Sequence, residues 1–185
     1  MLNKTKELII FEDKDILVCR KPAGLAVQNA RIGSMDLESS LKNYLAMQDG
    51  GGRRIPYLAV IHRLDQPVEG ILVFGKTPEA AKSLSAQITA GKMEKIYLAV
   101  TYGKQAEAGK KEKVLEDYLK KDGKSNTSSV VNAHTPGAKK ARLSYEVLGE
   151  AVDAISGKKK WLLRIHLDTG RHHQIRVQMA HAGMP

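Results

Sequence analysis

The stretch His62-Arg63-Leu64-Asp65, followed by Gln66-Pro67-Val68-Glu69-Gly70, gathers chemistry-bearing groups into one short segment. An aspartate flanked by an arginine and a histidine can act as nucleophile or general base if the chain presents it with little freedom. Pro67 restricts this turn and Gly70 releases it. Apolar runs on either side, Tyr57 to Ile61 and Ile71 to Phe74, predict two strands with the charged residues in the connection between them. A loop held by two strands positions catalytic groups well, and the same pattern also fits a polar hairpin connection without chemistry.

Two other segments carry candidate groups. Lys95 to Tyr102 reads as a strand whose alternation sets Ile96, Leu98 and Val100 on one face and Lys95, Tyr97 and Ala99 on the other. Tyr97 is therefore either a core residue of the second face or a site residue. After Asp168-Thr169-Gly170, Ile175, Met179 and Ala182 recur at helical spacing up to Gly183. Arg176 falls near the start of that helix, where a cation opposes the macrodipole and needs a carboxylate partner. His166, His172, His173 and His181 do not predict a metal centre. Neighbouring side chains on a helix diverge by about 100°, and His173 with His181 lies beyond the i, i+4 pairing of helical zinc motifs.

The elements that must position these groups follow the chain in order. Leu8 to Phe11 and Ile16 to Cys19 predict an N-terminal hairpin, and Lys21-Pro22-Ala23-Gly24 turns the chain after it. Leu37, Leu41, Tyr44, Leu45 and Gln48 predict a helix between Asp36 and Asp49, capped by Ser34 or Asp36 and stopped by Gly50-Gly51-Gly52. Arg53 and Arg54 follow on a connection that either reaches a phosphate or is simply solvated. Thr77-Pro78-Glu79 starts a second helix with the stripe Ala80, Ala81, Leu84 and Ile88, ended by Gly91. Gly103 to Lys124 is rich in Lys, Glu and Gly and predicts exposed faces or loops. Ser128 to Ala133 predicts an edge strand. Ala141 to Leu148 and Trp161 to Leu167 predict half-buried strands joined by a basic turn at Gly157 to Lys160.

At 185 residues the chain suits one domain with a substantial core. Hydrophobic residues at 42% and charged residues at 27% fit a globular protein and argue against disorder or a membrane span. Thirty Lys and Arg against twenty Asp and Glu leave a formal charge of +10, which favours polyanions through counterion release. The single cysteine, Cys19, allows neither an intrachain disulfide nor a thiolate metal site. Without a charged-then-apolar leader the chain is expected to be cytoplasmic.

His62-Arg63-Leu64-Asp65 with its Gly-terminated turn resembles the catalytic motif of the RluA-type RNA pseudouridine synthases. Lys95 to Val100 is similar to the tyrosine motif of that family, Thr169 to Arg176 to its arginine motif, and Asp15 to Gly24 to its lead-in strand and Lys-Pro-Ala-Gly turn. These matches run in the family's order from Leu8 to Pro185. The resemblance implies an α+β fold, a mixed and mainly antiparallel sheet with flanking helices, over a single catalytic domain spanning 1–185. It implies isomerisation of uridine to pseudouridine in ribosomal or transfer RNA, without metal or small-molecule cofactor and without a membrane partner. It implies Asp65, Tyr97 and Arg176 as catalytic residues, Arg176 pairing with Asp65, and His62, Arg63, Arg171 and Gln174 around the substrate. The departures are Val68-Glu69 where the family has Thr-Ser, His172 where Thr or Ser is common, and an end at Pro185 where relatives continue. On this reading the domain is C-terminally incomplete and no RNA-binding module precedes it. The alternative is a non-catalytic RNA-binding protein on an incomplete synthase scaffold.

Overall fold

The computed structural model describes residues 5–29, 35–50, 55–103 and 112–185. The chain divides into two compact units, Met1–Lys92 and Met93–Pro185. The α+β class expected from the sequence is found. Among the described residues every strand pairing is antiparallel, and the strands form two sheets.

The first unit is a four-stranded sheet in the order β1-β2-β4-β3, formed by β1 (Ile9–Glu12), β2 (Ile16–Lys21), β3 (Ala59–Val60) and β4 (Gly70–Gly75). The predicted N-terminal hairpin is the β1-β2 pair. Helix α1 (Leu37–Gln48) is capped by Asp36, whose carboxylate accepts from the Ser39 N–H, and buries Leu37, Leu41 and Leu45. These leucines pack with Leu17, Cys19, Leu72 and Phe74 of the sheet, which makes this core a sheet covered by one helix stripe. Helix α2 (Pro78–Thr89) starts as predicted, with Thr77 accepting from Ala80, but none of its residues is fully buried. Gly75 allows its first turn to approach β4, because a Cβ there would lie 2.9 Å from the Ala81 nitrogen. The strand predicted over Tyr57 to Ile61 is reduced to β3, and its preceding residues run as irregular chain. Arg53 and Arg54 lie outside the described residues.

The second unit is a five-stranded sheet in the order β5-β9-β8-β6-β7. Its strands are β5 (Ile96–Thr101), β6 (Lys113–Asp122), β7 (Thr127–Val131), β8 (Lys139–Val152) and β9 (Lys159–Leu167). Helix α3 (Gln174–His181) contributes Met179 to a core with Leu143, Tyr145, Trp161, Leu163 and Ile165. One expectation changes here, and the inward row of β5 is identified. The charged segment predicted as exposed faces or loops contains the ten-residue β6, which buries Leu119 and turns its Lys and Glu side chains largely outward. On β5 the row Ile96, Leu98 and Val100 is exposed at 52%, 67% and 57%, whereas Tyr97 and Ala99 pack against the core. Register explains this. Tyr97 lies opposite Ile165 and Ala99 opposite Leu163, and directly opposed residues share a face. Alternation along one strand separates two rows, but the neighbouring strand decides which row is buried. Among the described residues no helix is long and apolar enough to cross a membrane.

Candidate active site

In the first unit the connection from β3 to β4 is fixed at several points on either side of Asp65. His62 Nε2 accepts a 3.2 Å hydrogen bond from the Val73 N–H on β4. Leu64 packs against the core, and its Cδ1 would lie 2.9 Å from a Cβ at Gly70, so glycine makes room for it. Gln66 and Gly24 bond reciprocally: the Gly24 N–H donates to the Gln66 carbonyl at 2.8 Å, and Gln66 Nε2 donates to the Gly24 carbonyl at 2.9 Å. The Val68 N–H closes the turn on the Asp65 carbonyl at 3.0 Å. Asp65 is half-buried and Arg63 is exposed.

Behind this loop lies a residue that the sequence reading assigned only to a turn. Lys21 is fully buried, and its Nζ donates to the carbonyls of Pro22 at 3.0 Å, Leu25 at 2.6 Å and Gln66 at 3.0 Å. It thereby joins the Lys-Pro-Ala-Gly turn to the residue next to Asp65. Burial holds its amine below the usual lysine range, partly offset by the negative charges of Asp65 and Glu69. The Asp65 carboxylate thus faces a fixed positive charge inside its own unit. The signal was present in the sequence: Leu17, Cys19 and Lys21 alternate on one face of β2, so the lysine continues a core-facing row.

In the second unit, Tyr97 sits on β5 with its ring against the core edge, half-buried. Arg176 is exposed in the first turn of α3. Among the described residues it has no ion-pair partner within its own unit. Arg171 is exposed, and its Nε donates to the Lys140 carbonyl at 2.8 Å. Gln174, placed by the resemblance around the substrate, is 3% exposed and engaged inside the unit. Its Nε2 donates to the Arg142 carbonyl at 3.0 Å, and its Oε1 accepts from Thr169 Oγ1 at 2.8 Å and from the Arg171 N–H at 2.9 Å. These bonds fix the loop that presents Arg171.

The histidine pair is arranged differently from expectation. His173 precedes α3 in the left-handed region at φ 53°, and the rings of His172 and His173 stack 3.7 Å apart. The two rings therefore do not diverge as neighbouring side chains on a helix would. Ser128 Oγ lies 2.9 Å from His172 Nδ1, which ties this corner to β7. Among the described residues no cluster of three or more His, Cys, Asp or Glu side chains could hold a metal ion.

The sequence profile described as RNA pseudouridylate synthase matches residues 15–181. The chain is 34% identical over 178 residues to a ribosomal large subunit pseudouridine synthase D of Pseudomonas aeruginosa, covering 96% of this chain and 50% of that protein. A protein of the same name from Xylella fastidiosa is 31% identical, with 96% and 49% covered. An RNA pseudouridine synthase of Zymomonas mobilis is 32% identical, with 93% and 71% covered. The chain spans about half the length of the ribosomal relatives it matches. The solved structure of human RNA pseudouridylate synthase domain containing 4 superposes with a TM-score of 0.75 at 22% identity, covering 100% of this chain and 69% of that one. That likeness concerns the fold.

Proposed function

The chain belongs to the RNA pseudouridylate synthase family, and on that premise we propose that it isomerises uridine to pseudouridine in structured RNA, with Asp65 as the catalytic carboxylate. The reaction breaks the bond from uracil N1 to ribose C1′, forms one from C5 to C1′, and moves a proton from C5 to N1. It needs a carboxylate at the sugar, a surface to hold the detached ring, and a base turned out of its stack. Asp65 supplies the first, whether it adds to the substrate as nucleophile or removes a ribose proton to start elimination. The flat face of Tyr97 holds the uracil, and its hydroxyl relays the C5 proton towards N1, giving up its own proton as it takes the new one. Arg176 is the guanidinium that this reading assigns as the partner of Asp65. Arg63, exposed beside Asp65, fills the gap left by the turned-out base or binds the adjacent phosphate.

The observation that carries this reading is the anchoring of the Asp65 loop, through Gln66, to a lysine with no exposed surface. A hairpin connection without chemistry has no need of a buried ammonium behind it, because burying a charge is costly. The reading requires both units to act on the same nucleotide, as one catalytic domain. The RNA is ribosomal or transfer RNA in the cytoplasm, and the names of the bacterial relatives favour ribosomal RNA. Incubating the purified chain with large-subunit ribosomal RNA and mapping pseudouridine tests this. Product from wild type and none from Asp65→Asn is expected, and product from both would remove Asp65 from the chemistry.

A further inference from the structure

Positive charge accumulates where β9 leads into α3 and is only partly neutralised there. Four cations, Lys95, Lys140, Arg142 and Arg171, share two carboxylates, Glu116 and Asp168. Both carboxylates are already committed. Lys140 Nζ lies 2.8 Å from Glu116, Arg142 Nε lies 3.8 Å from the same carboxylate, and Arg142 Nη1 bonds Asp168. Among the described residues, the hydrogen bonds of the Lys95 and Arg171 side chains go to backbone oxygens. Lys95 Nζ reaches the Asp168 carbonyl at 3.4 Å, and Arg171 Nε the Lys140 carbonyl at 2.8 Å.

The two cations also act on each other. Burial holds the Lys95 amine below its ordinary value, Asp168 opposes that, and the Arg171 charge adds to it. The helix beside them reinforces the field. The N-terminal end of α3 has no side-chain cap bond from His173 and no acidic residue in its first turn, and it carries Arg176 instead. Gly170, between Thr169 and Arg171, is exposed and faces open space on its Cβ side. Among the described residues these two cations bond no carboxylate, and with a helix start that lacks a side-chain cap they favour an anion between them.

We propose that Lys95 and Arg171 clamp one backbone phosphate of the RNA strand, next to the nucleotide held by Tyr97. The proposal rests on the synthase reading for the identity of the polyanion. Lys95 immediately precedes β5, with its carbonyl still accepting from the Leu167 N–H beyond the β9 pairing, so the strand alternation carried back by one residue puts it on the Tyr97 side, two residues or about 7 Å away. One nucleotide bridges such a distance, so a phosphate at Lys95 would set the neighbouring base against the phenol ring. Lys95 is then a substrate-positioning residue, and the Gln174 bonds that fix the Arg171 loop serve the same clamp.

The test measures binding of a short fluorescein-labelled oligouridylate to the full chain across a salt series, for wild type, Lys95→Met, Lys95→Arg and Arg171→Gln. Each phosphate contact contributes about 0.7 to the slope of log affinity against log salt for single strands. Lys95→Met should therefore bind about fivefold more weakly at 0.1 M salt and lose about 0.7 of the slope. Lys95→Arg should keep both. Lys95→Met should melt no lower than wild type, because it removes a like charge from beside Arg171. A wild-type slope in both Lys95→Met and Arg171→Gln overturns the clamp, as does a loss of affinity confined to a Lys95→Met variant that melts lower. If Lys95→Met does not fold, Arg171→Gln alone decides, by the same change in slope. Pseudouridine formation in the same preparations separates the two ideas. Product from wild type with unchanged slopes in the variants sinks the clamp and leaves the synthase reading standing. Lost slopes without product from wild type do the reverse.

Discussion

Replacing Lys21 by methionine keeps the volume of the buried side chain and removes its charge and its three donors. The Gln66 carbonyl still receives the Gly24 N–H, so the groups left bare are the carbonyls of Pro22 and Leu25, bonded by Lys21 at 3.0 and 2.6 Å. A fully buried acceptor without a partner costs about 1–3 kcal/mol, and these two carbonyls are part-buried, which puts the gross loss at no more than about 6 kcal/mol. Relief from burying an ammonium returns part of this. A net destabilisation of about 3 kcal/mol corresponds to a melting shift of roughly 6–12 °C for a chain of this size. The difference between the two proteins should also depend on pH. The Lys21 amine is held below 10.5 in the native state by burial, so at lower pH the native protein carries the cost of a buried charge. Between the native value and 10.5 the unfolded chain binds more protons than the folded one, and stability rises with pH across that window. Urea melts of wild type and Lys21→Met at neutral and alkaline pH read both effects. Wild type should be the more stable at neutral pH and gain further on Lys21→Met as the pH rises. Equal midpoints at neutral pH, or a gap that narrows with rising pH, would refute the role given to this lysine.

Three further predictions concern the supports of the site. Gln174→Leu strips partners from the Arg142 carbonyl, Thr169 Oγ1 and the Arg171 N–H. Because the Arg142 carbonyl and Thr169 Oγ1 keep other partners, it should cost about 1–3 kcal/mol, with faster amide exchange at Arg171 as the local sign. His62→Phe leaves the Val73 N–H without its side-chain acceptor and should cost about 1–2 kcal/mol in urea melts. His62→Gln, which keeps an acceptor, should recover part of that. Burial raises the Asp36 pKa, but the N–H bonds from Ser39 and Asn29 outweigh it and hold the group below its ordinary 3.8. Its contribution is therefore complete above 3.8 and is lost as pH falls through the lower native value. Asp36→Ala should be destabilised by about 1 kcal/mol near neutrality, with the difference from wild type shrinking in acid titrations of stability.

Much of this arrangement was legible because its signals are local. Asp36 and Thr77 cap helices where the sequence puts them, and Trp161, Leu163 and Ile165 bury the face that their alternation predicts. What was missed depends on partners distant in sequence. The β5 face that turns inward is chosen by β9, some sixty residues later. The length of β6 comes from its ladder with β8, which overrides a composition suited to loops. His173 adopts a left-handed backbone that delays α3, so a histidine pair expected on the helix lies before it. Gln174 reads as an open polar group in its motif, and only the fold shows its amide turned toward Arg142 and Thr169. Lys21 lies between these cases. Its core-facing position could be counted from the strand, but its link to the Asp65 loop runs through Gln66, a contact across forty-five positions.

Asp65 is the carboxylate on which the proposed transfer of uracil from nitrogen to carbon attachment turns. Pseudouridine mapping of large-subunit ribosomal RNA incubated with wild type or Asp65→Asn, the two matched for RNA affinity, measures this directly. New pseudouridine with wild type alone is the predicted result. The same modified position with both proteins, or none with wild type that binds the RNA fully, would contradict it.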